Sequence, residues 1–254
     1  CDMQETFASP FDTHLIAALE AAPKTHARES MRSAVHHLRM AEPLFKIDVA
    51  MAVFRCITAV EEAASGLMLL LQQQGYPRAS ELKRREHLHK NAMLPFLRIL
   101  HRRAIRAASE GNYQINLHTF PSLKQPLGIS ITVQHDNGSS STVPINPPLA
   151  FLLSDDGVGI DKTIDIDSFI KSQGAASVKA YLKEETNLRN KILYASPEGI
   201  PKVTIDHHKF FPAKQQAVRT MICAYLLMVP YGRQPTVTHG LNAFLELLSL
   251  VKDA

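Results

Sequence analysis

Residues 44–74 read LFKIDVAMAVFRCITAVEEAASGLMLLLQQQ, and this stretch decides the fold class. Its apolar residues recur three and four positions apart, as one face of a helix requires. They are Phe45, Val49, Ala52, Val53, Cys56, Val60 and Ala63. Gly75 and Pro77 follow, and both residue types commonly end helices. The pattern therefore predicts a long amphipathic helix over 44–74.

Further helices are predicted on both sides of this one. A helix over 11–41 breaks at Pro23, and another begins at Ser80 as its cap and runs to 108 with a kink at Pro95. Three more follow late in the chain, over 177–195, from Pro212 to Pro230, and over 238–252.

The middle of the chain differs, because its apolar segments are short and separated by prolines. These β-leaning segments are 113–120, 129–135, 142–145 and 149–153, and Asp136-Asn137-Gly138 is a hairpin signal. We therefore expect an α+β protein, mainly α, in which a helical bundle is interrupted by a β-rich hairpin insert. Its parts are the N-terminal helices of the bundle over 11–110, the insert over 111–166, and C-terminal helices over 167–254 that complete the same bundle.

The composition excludes several protein classes. The chain has 254 residues, of which 45% are hydrophobic and 20% charged, as in soluble globular proteins and unlike disordered ones. No apolar run approaches the roughly 20 residues of a membrane-spanning helix, so we expect no membrane partner. Three cysteines far apart argue against a disulfide scaffold. The first residues show no signal-peptide pattern, and we expect a cytoplasmic protein.

The net charge of +4 conceals a basic first half and an acidic middle. Residues 24–109 contain 15 Lys or Arg against 7 acids, whereas residues 135–185 contain 8 acids against 4 bases. Arginines at helical spacing suit phosphate backbones, so we expect RNA contacts from the basic helix. The candidates are Arg84, Arg85, Lys90, Arg98, Arg102 and Arg106. A solvated helix face, or pairing with the acidic segment, would give the same pattern.

Carboxylates and histidines face each other across two consecutive helices. Because helices joined by a short loop pack antiparallel, we expect a polar network between them. Its members would be Arg55, Glu61, Glu62, His87 and His89. Such residues also bind metals, but the helix of Glu61 has no Glu-x-x-His pair of the di-iron type. We expect no metal here.

Residues 155–161 read DDGVGID and resemble the D-x-G-x-G box of the GHKL ATPases. This resemblance implies ATP binding, with Asp156 on the adenine amino group and Gly157 and Gly159 approached closely by the nucleotide. The same residues suit an acidic turn between a strand and a helix, which is the interpretation we favour.

A second resemblance begins at Arg189-Asn190. HEPN domains carry an Arg-x4-6-His motif, often beginning Arg-Asn, and Tyr194 stands here where a histidine is expected. The Glu-Glu pattern ending at 63 and the His-Lys pattern at 87–90 resemble the AbiV-like abortive-infection branch. The resemblance implies a homodimer whose late helices form a metal-independent ribonuclease site, with Arg189, Asn190 and Tyr194 in its groove.

The tyrosine at this position leaves the activity open. A histidine exchanges protons near neutral pH, whereas a phenol does so poorly. We therefore expect a degenerate ribonuclease motif and an RNA- or partner-binding role of the kind found in bacterial defence, with no cofactor. The alternatives are the GHKL-like ATP-binding module and a non-enzymatic helical scaffold.

Overall fold

A computed structural model describes residues 6–111, 113–135, 138–150 and 203–253, together with Asn187, Arg189, Lys191, Ile192 and Tyr194. The chain is α+β and mainly helical, which confirms the predicted fold class. In order, the elements of the described residues are α1 (Pro10–Ala21), α2 (His26–Leu44), α3 (Val49–Gln73), α4 (His87–Glu110), β1 (Tyr113–Thr119), β2 (Leu127–Gln134), β3 (Ser140–Ile145), α5 (His207–Met228) and α6 (Pro235–Asp253). The predicted helix over 177–195 falls almost wholly outside these residues.

Helix α3 is the predicted central helix, but it begins five residues later than expected. The Asp48 carboxylate accepts a hydrogen bond from the backbone N–H of Met51 at 3.0 Å and caps the helix. Of the preceding residues, Leu44 belongs to α2, which continues through Pro43 rather than ending before the proline, and residues 45–48 connect the two helices. Apolar spacing alone could not separate the two helices, because Phe45 also packs against the core.

Helix α4 begins at His87 and not at Ser80, so that start was wrong. Ser80 lies in a 3-10 turn over Ala79–Glu81 instead. The side-chain amide of Gln72 donates to the carbonyls of Ala79 and Leu82, both at 3.1 Å, and these bonds fasten the connecting segment to α3. Pro95 lies within the helix that follows.

Helix α5, in contrast, begins earlier than predicted. Asp206 caps it by accepting from the backbone N–H of His208 at 3.1 Å, which places Pro212 inside the helix rather than in its first turn. The helix ends at Met228, two residues before Pro230, as expected. In α6, Pro235 occupies the first position, where a missing N–H leaves no hydrogen bond unmade.

The insert is a three-stranded antiparallel sheet in the order β1-β2-β3. Gln134 pairs with Ser140, so β2 and β3 form the hairpin that the Asp-Asn-Gly sequence predicts, and Gly138 has a φ of +79°. Residues 149 and 150 form no strand, and the rest of the predicted fourth segment lies outside the described residues. Ile115, Ile129 and Ile145 direct one face of the sheet towards the helices.

The core joins the early and late helices. Helices α2 and α3 approach closely at Gly66, where an added Cβ would lie 3.0 Å from the Ala27 carbonyl oxygen. Met68 of α3 and Tyr225 of α5 are fully buried in the same cluster. Arg219 of α5 binds the buried Asp12 of α1 through Nε at 2.6 Å and a terminal nitrogen at 2.8 Å. The described helices include none that is both long and apolar enough to cross a membrane.

Candidate functional site

The site is built around a buried carboxylate on α3. Glu61 is 5% exposed, and a carboxylate so far from water requires charged or hydrogen-bonding partners. One oxygen, Oε1, lies 2.7 Å from Nδ1 of His87, and the other, Oε2, lies 3.0 Å from Nζ of Lys90. His87 and Lys90 are three residues apart at the start of α4, so one face of that helix presents both to α3.

Arg189 extends this arrangement from a distant part of the chain. One of its terminal nitrogens lies 2.9 Å from Nε2 of His87. Its guanidinium carbon also lies 5.4 Å from the centre of the Phe54 ring, within the range of a cation–π contact. Phe54 precedes Glu61 by seven residues on α3, so the same helix face carries both. We call Glu61, His87, Lys90 and Arg189 the Glu61 cluster.

The hydrogen bonds define the protonation of His87. A guanidinium can only donate, so Nε2 of His87 accepts from Arg189. Nδ1 then carries the proton and donates it to the Glu61 carboxylate. This is a neutral imidazole with its lone pair on the side away from the carboxylate. The side chain of His87 is 35% exposed, so solvent or a ligand reaches its edge.

A histidine held in this way can act as a general base. Its Nε2 accepts a proton, and the adjacent carboxylate stabilises the imidazolium that forms. Arg189 supplies a positive charge beside the same nitrogen. The cluster therefore places a base and an anion-binding group within one hydrogen bond of each other.

The other members of the predicted polar network lie elsewhere. Arg55 faces α2, with a terminal nitrogen 3.4 Å from Nδ1 of His37. Burial lowers the pKa of His37, and the charges of Arg55 and His36 lower it further. His89 is buried beside the start of α4, where its Nδ1 accepts from the backbone N–H of Lys83 at 3.3 Å.

Two residues of the predicted network, Glu62 and His89, lie near the cluster without joining it. Glu62 is half-buried on α3, next to Glu61. His89 also places its Nε2 3.3 Å from a carboxylate oxygen of Glu86, the residue before His87. Of the five residues expected in one network, the structure thus brings together Glu61 and His87 and adds Lys90 and Arg189.

The predicted HEPN-type residues have different outcomes. Arg189 belongs to the Glu61 cluster, where it contacts a histidine of α4. Tyr194 is 67% exposed. Asn190 lies outside the described residues, as do Asp156, Gly157 and Gly159 of the ATPase-like box.

The candidate RNA-contacting cations divide into two groups. Arg84, Arg85 and Arg98 are exposed, as a phosphate-binding surface requires. The side chain of Lys90 is only 12% exposed and neutralises Glu61, so it belongs to the interior instead. The side chains of Arg102 and Arg106 lie outside the described part of the structure.

Sequence reasoning missed the contact between Arg189 and His87. These residues are 102 positions apart, and neither periodicity nor motif spacing relates positions so distant. In the described part of the chain, no three His, Cys, Asp or Glu side chains are grouped as metal ligands would be. No protein-family model, curated protein or solved structure matches the chain.

Proposed function

We propose that this protein binds RNA and cleaves it without a metal, with His87 as the general base. The observation that carries the proposal is the hydrogen-bonded series from Glu61 through His87 to Arg189. The resemblance to HEPN domains supports it, because that family combines an arginine and a histidine for the same chemistry. In this chain the histidine comes from α4, whereas the resemblance would place a histidine at the position of Tyr194.

The proposed reaction is transfer of the phosphoryl group to the neighbouring ribose hydroxyl. Nε2 of His87 takes the proton of the 2′-hydroxyl, and the oxygen attacks the adjacent phosphorus. The bond from phosphorus to the 5′-oxygen breaks, and that oxygen takes a proton from water. The hydroxide left behind takes the proton from Nε2 of His87, which restores water and the neutral imidazole. The products are a 2′,3′-cyclic phosphate and a 5′-hydroxyl end, so atoms and charges balance.

Arg189 has two successive partners in this scheme. Before substrate binds, it donates to Nε2 of His87 and occupies the lone pair. A phosphodiester is a stronger acceptor for a guanidinium than a neutral imidazole, because its oxygens are charged. Binding of RNA therefore transfers Arg189 to the phosphate and frees the base. Arg189 then stabilises the negative charge that accumulates on the phosphorane.

Exposed arginines beside the cluster supply the RNA-binding surface. Arg84 and Arg85 lie just before α4, three and two residues before His87 respectively. Their side chains face solvent and carry charge that an RNA backbone neutralises on binding. The resemblance further implies that two chains pair to complete this surface, so we propose a homodimer in a bacterial defence role.

The test is cleavage of an end-labelled single-stranded RNA by the full chain in low salt with EDTA present. We expect His87→Ala to lower cleavage by about a hundredfold or more, as loss of a general base does. His239→Ala is the matched control, because His239 is exposed on α6, and it should cleave like the unaltered protein. The products should carry 2′,3′-cyclic phosphates.

Binding is measured separately from cleavage, by filter retention of the same RNA. Arg84→Ala with Arg85→Ala should weaken retention and make it less dependent on salt. Cleavage that disappears in EDTA, or that persists in His87→Ala, would contradict the proposed chemistry. Failure of the unaltered chain to retain RNA at low salt would contradict the proposal as a whole.

A further inference from the structure

A large apolar cavity lies apart from the Glu61 cluster. It has a volume of about 390 Å³, is partly open to solvent, and is lined by residues of α3, α4, the sheet, α5 and α6. Phe96 and Leu100 form part of the α4 wall, Ile115 lies on the sheet side, and Leu241 comes from α6. Protein interiors are packed to crystal-like density, and voids much larger than a water molecule are rare. A cavity of about 300 to 1,000 Å³ is the size of a small-molecule site.

The chemistry of the walls selects an apolar ligand. None of the side chains known to line the cavity carries a fixed charge, and almost all are aliphatic or aromatic. Polar side chains enter at three positions, His101, Thr220 and Thr236. His101 and Leu117 line the cavity and are also exposed, so they mark an edge where it meets solvent. Walls of this kind favour a hydrocarbon chain over a nucleotide or a sugar.

The charge at this edge indicates the kind of head group. Arg98 is exposed and precedes His101 by three residues on α4, so the two side chains lie on neighbouring positions of the helix surface. An anionic group at the edge would pair with the guanidinium while remaining hydrated. We propose that the cavity binds a single-chain anionic amphiphile, a long-chain fatty acid, with its carboxylate beside Arg98 and His101.

This assignment is independent of the proposed ribonuclease activity. The side chains that line the cavity include none of the Glu61 cluster. Loss of fatty-acid binding and loss of RNA cleavage can therefore be observed separately in the same preparation.

Gly240 offers a substitution that fills the cavity. It lines the cavity within α6, and a Cβ added there would lie 3.4 Å from Leu100 Cδ1 and 3.6 Å from Phe96 Cζ, both ordinary contacts. Gly240→Leu therefore places an isobutyl group in the cavity and improves the helix propensity of α6. Gly232→Leu is the matched control, because its Cβ would meet nothing within 4 Å in an exposed turn.

The measurement is the fluorescence of dansylundecanoic acid titrated into the full chain, followed by displacement with oleate. We expect saturable binding of one probe per chain. Gly240→Leu should weaken probe binding by about tenfold, because the added side chain takes the space of about two methylene groups of the probe. Gly232→Leu should bind like the unaltered chain. Circular dichroism and thermal unfolding show whether each variant is folded.

Arg98→Gln tests the head group with a variant that leaves the cavity intact. It should weaken displacement by oleate and leave displacement by methyl oleate unchanged. Absence of saturable binding, or equal binding by Gly240→Leu and the unaltered chain, would overturn the site. Equal displacement by oleate and its methyl ester would overturn the anionic ligand.

Discussion

Removal of Lys90 from its ion pair with Glu61 should destabilise the fold strongly, and this loss tests how firmly the Glu61 cluster is built. Lys90→Met keeps most of the aliphatic length of the side chain and removes the ammonium group. The Glu61 carboxylate, which is 6% exposed at the side chain, would then keep His87 as its remaining described partner. A buried carboxylate that loses its counter-charge destabilises the folded state.

The size of the effect follows from the geometry. At 3.0 Å, two unit charges attract by about 5.5 kcal/mol if the effective dielectric constant is about 20. Desolvation of both groups offsets part of this attraction, and breaking a buried pair costs about 3 to 5 kcal/mol overall. The lower end applies here, because His87 still donates to the carboxylate. For a chain of this size, about 3 kcal/mol lowers Tm by about 6 to 12 °C.

Urea unfolding followed by circular dichroism measures the loss directly. The control is Lys83→Met, because Lys83 pairs with Glu86 at a similar distance of 3.1 Å on the surface, and we expect a change of about 0.5 kcal/mol or less. The double variant Glu61→Gln with Lys90→Met should lose less than the sum of the single variants, by about 2 kcal/mol. Additive losses, or equal losses for Lys83→Met and Lys90→Met, would refute the reasoning.

Three further predictions concern the rest of the fold. Burial raises the pKa of Asp12, but hydrogen bonds from Arg219 and Ser9, together with the charge of Arg219, outweigh it and hold the pKa below its ordinary value. The ionised Asp12 therefore stabilises the fold above about pH 4, and this contribution is lost as the pH falls through its folded pKa. In urea unfolding, Arg219→Met should lower the free energy of unfolding at pH 7. The free energies of unfolding at pH 7 and pH 3 should then differ less than in the unaltered chain. Gly66→Ala should lower the free energy of unfolding by about 1 to 3 kcal/mol despite its better helix propensity, because its Cβ would lie 3.0 Å from a carbonyl oxygen of α2; a more stable variant would contradict this. Burial raises the thiol pKa of both Cys56 and Cys223 to about 12, so iodoacetamide at pH 8 should modify them only in urea, as mass spectrometry would show.

The sequence was informative about the helices and less so about where they begin. The apolar spacing that predicted α3 depends on burial, and the predicted apolar positions from Ala52 to Ala63 are all buried. The start at Val49 is decided by the hydrogen bond that Asp48 makes, and a capping bond acts at one position without changing the apolar period. The basic segment before His87 was assigned to a helix, because nothing local shows that Gln72 holds its backbone in a turn.

The sequence predicted only part of the candidate site. Glu61 and His87 lie on consecutive helices, and the expectation that such helices pack together brought the two residues into one hypothesis. Arg189 was considered only with Tyr194, since the resemblance assigns an arginine and a histidine to one helix. The contact between Arg189 and His87 depends on tertiary packing, which the order of residues along one segment does not encode.

The inward position of Lys90 changes what the basic region can do. If every cation near α4 faced solvent, the region would only hold an RNA backbone by its charge. Lys90 instead neutralises Glu61, and His87 is neutral in the tautomer that its hydrogen bonds require. The four side chains of the Glu61 cluster therefore carry a net charge of about +1, contributed by Arg189. In the proposed reaction, a phosphodiester has one negative charge and its phosphorane two, so this excess would stabilise the transition state more than the bound substrate. Without Lys90, the carboxylate would cancel that advantage, and for this reason we assign Lys90 to the electrostatics of the proposed reaction rather than to RNA binding.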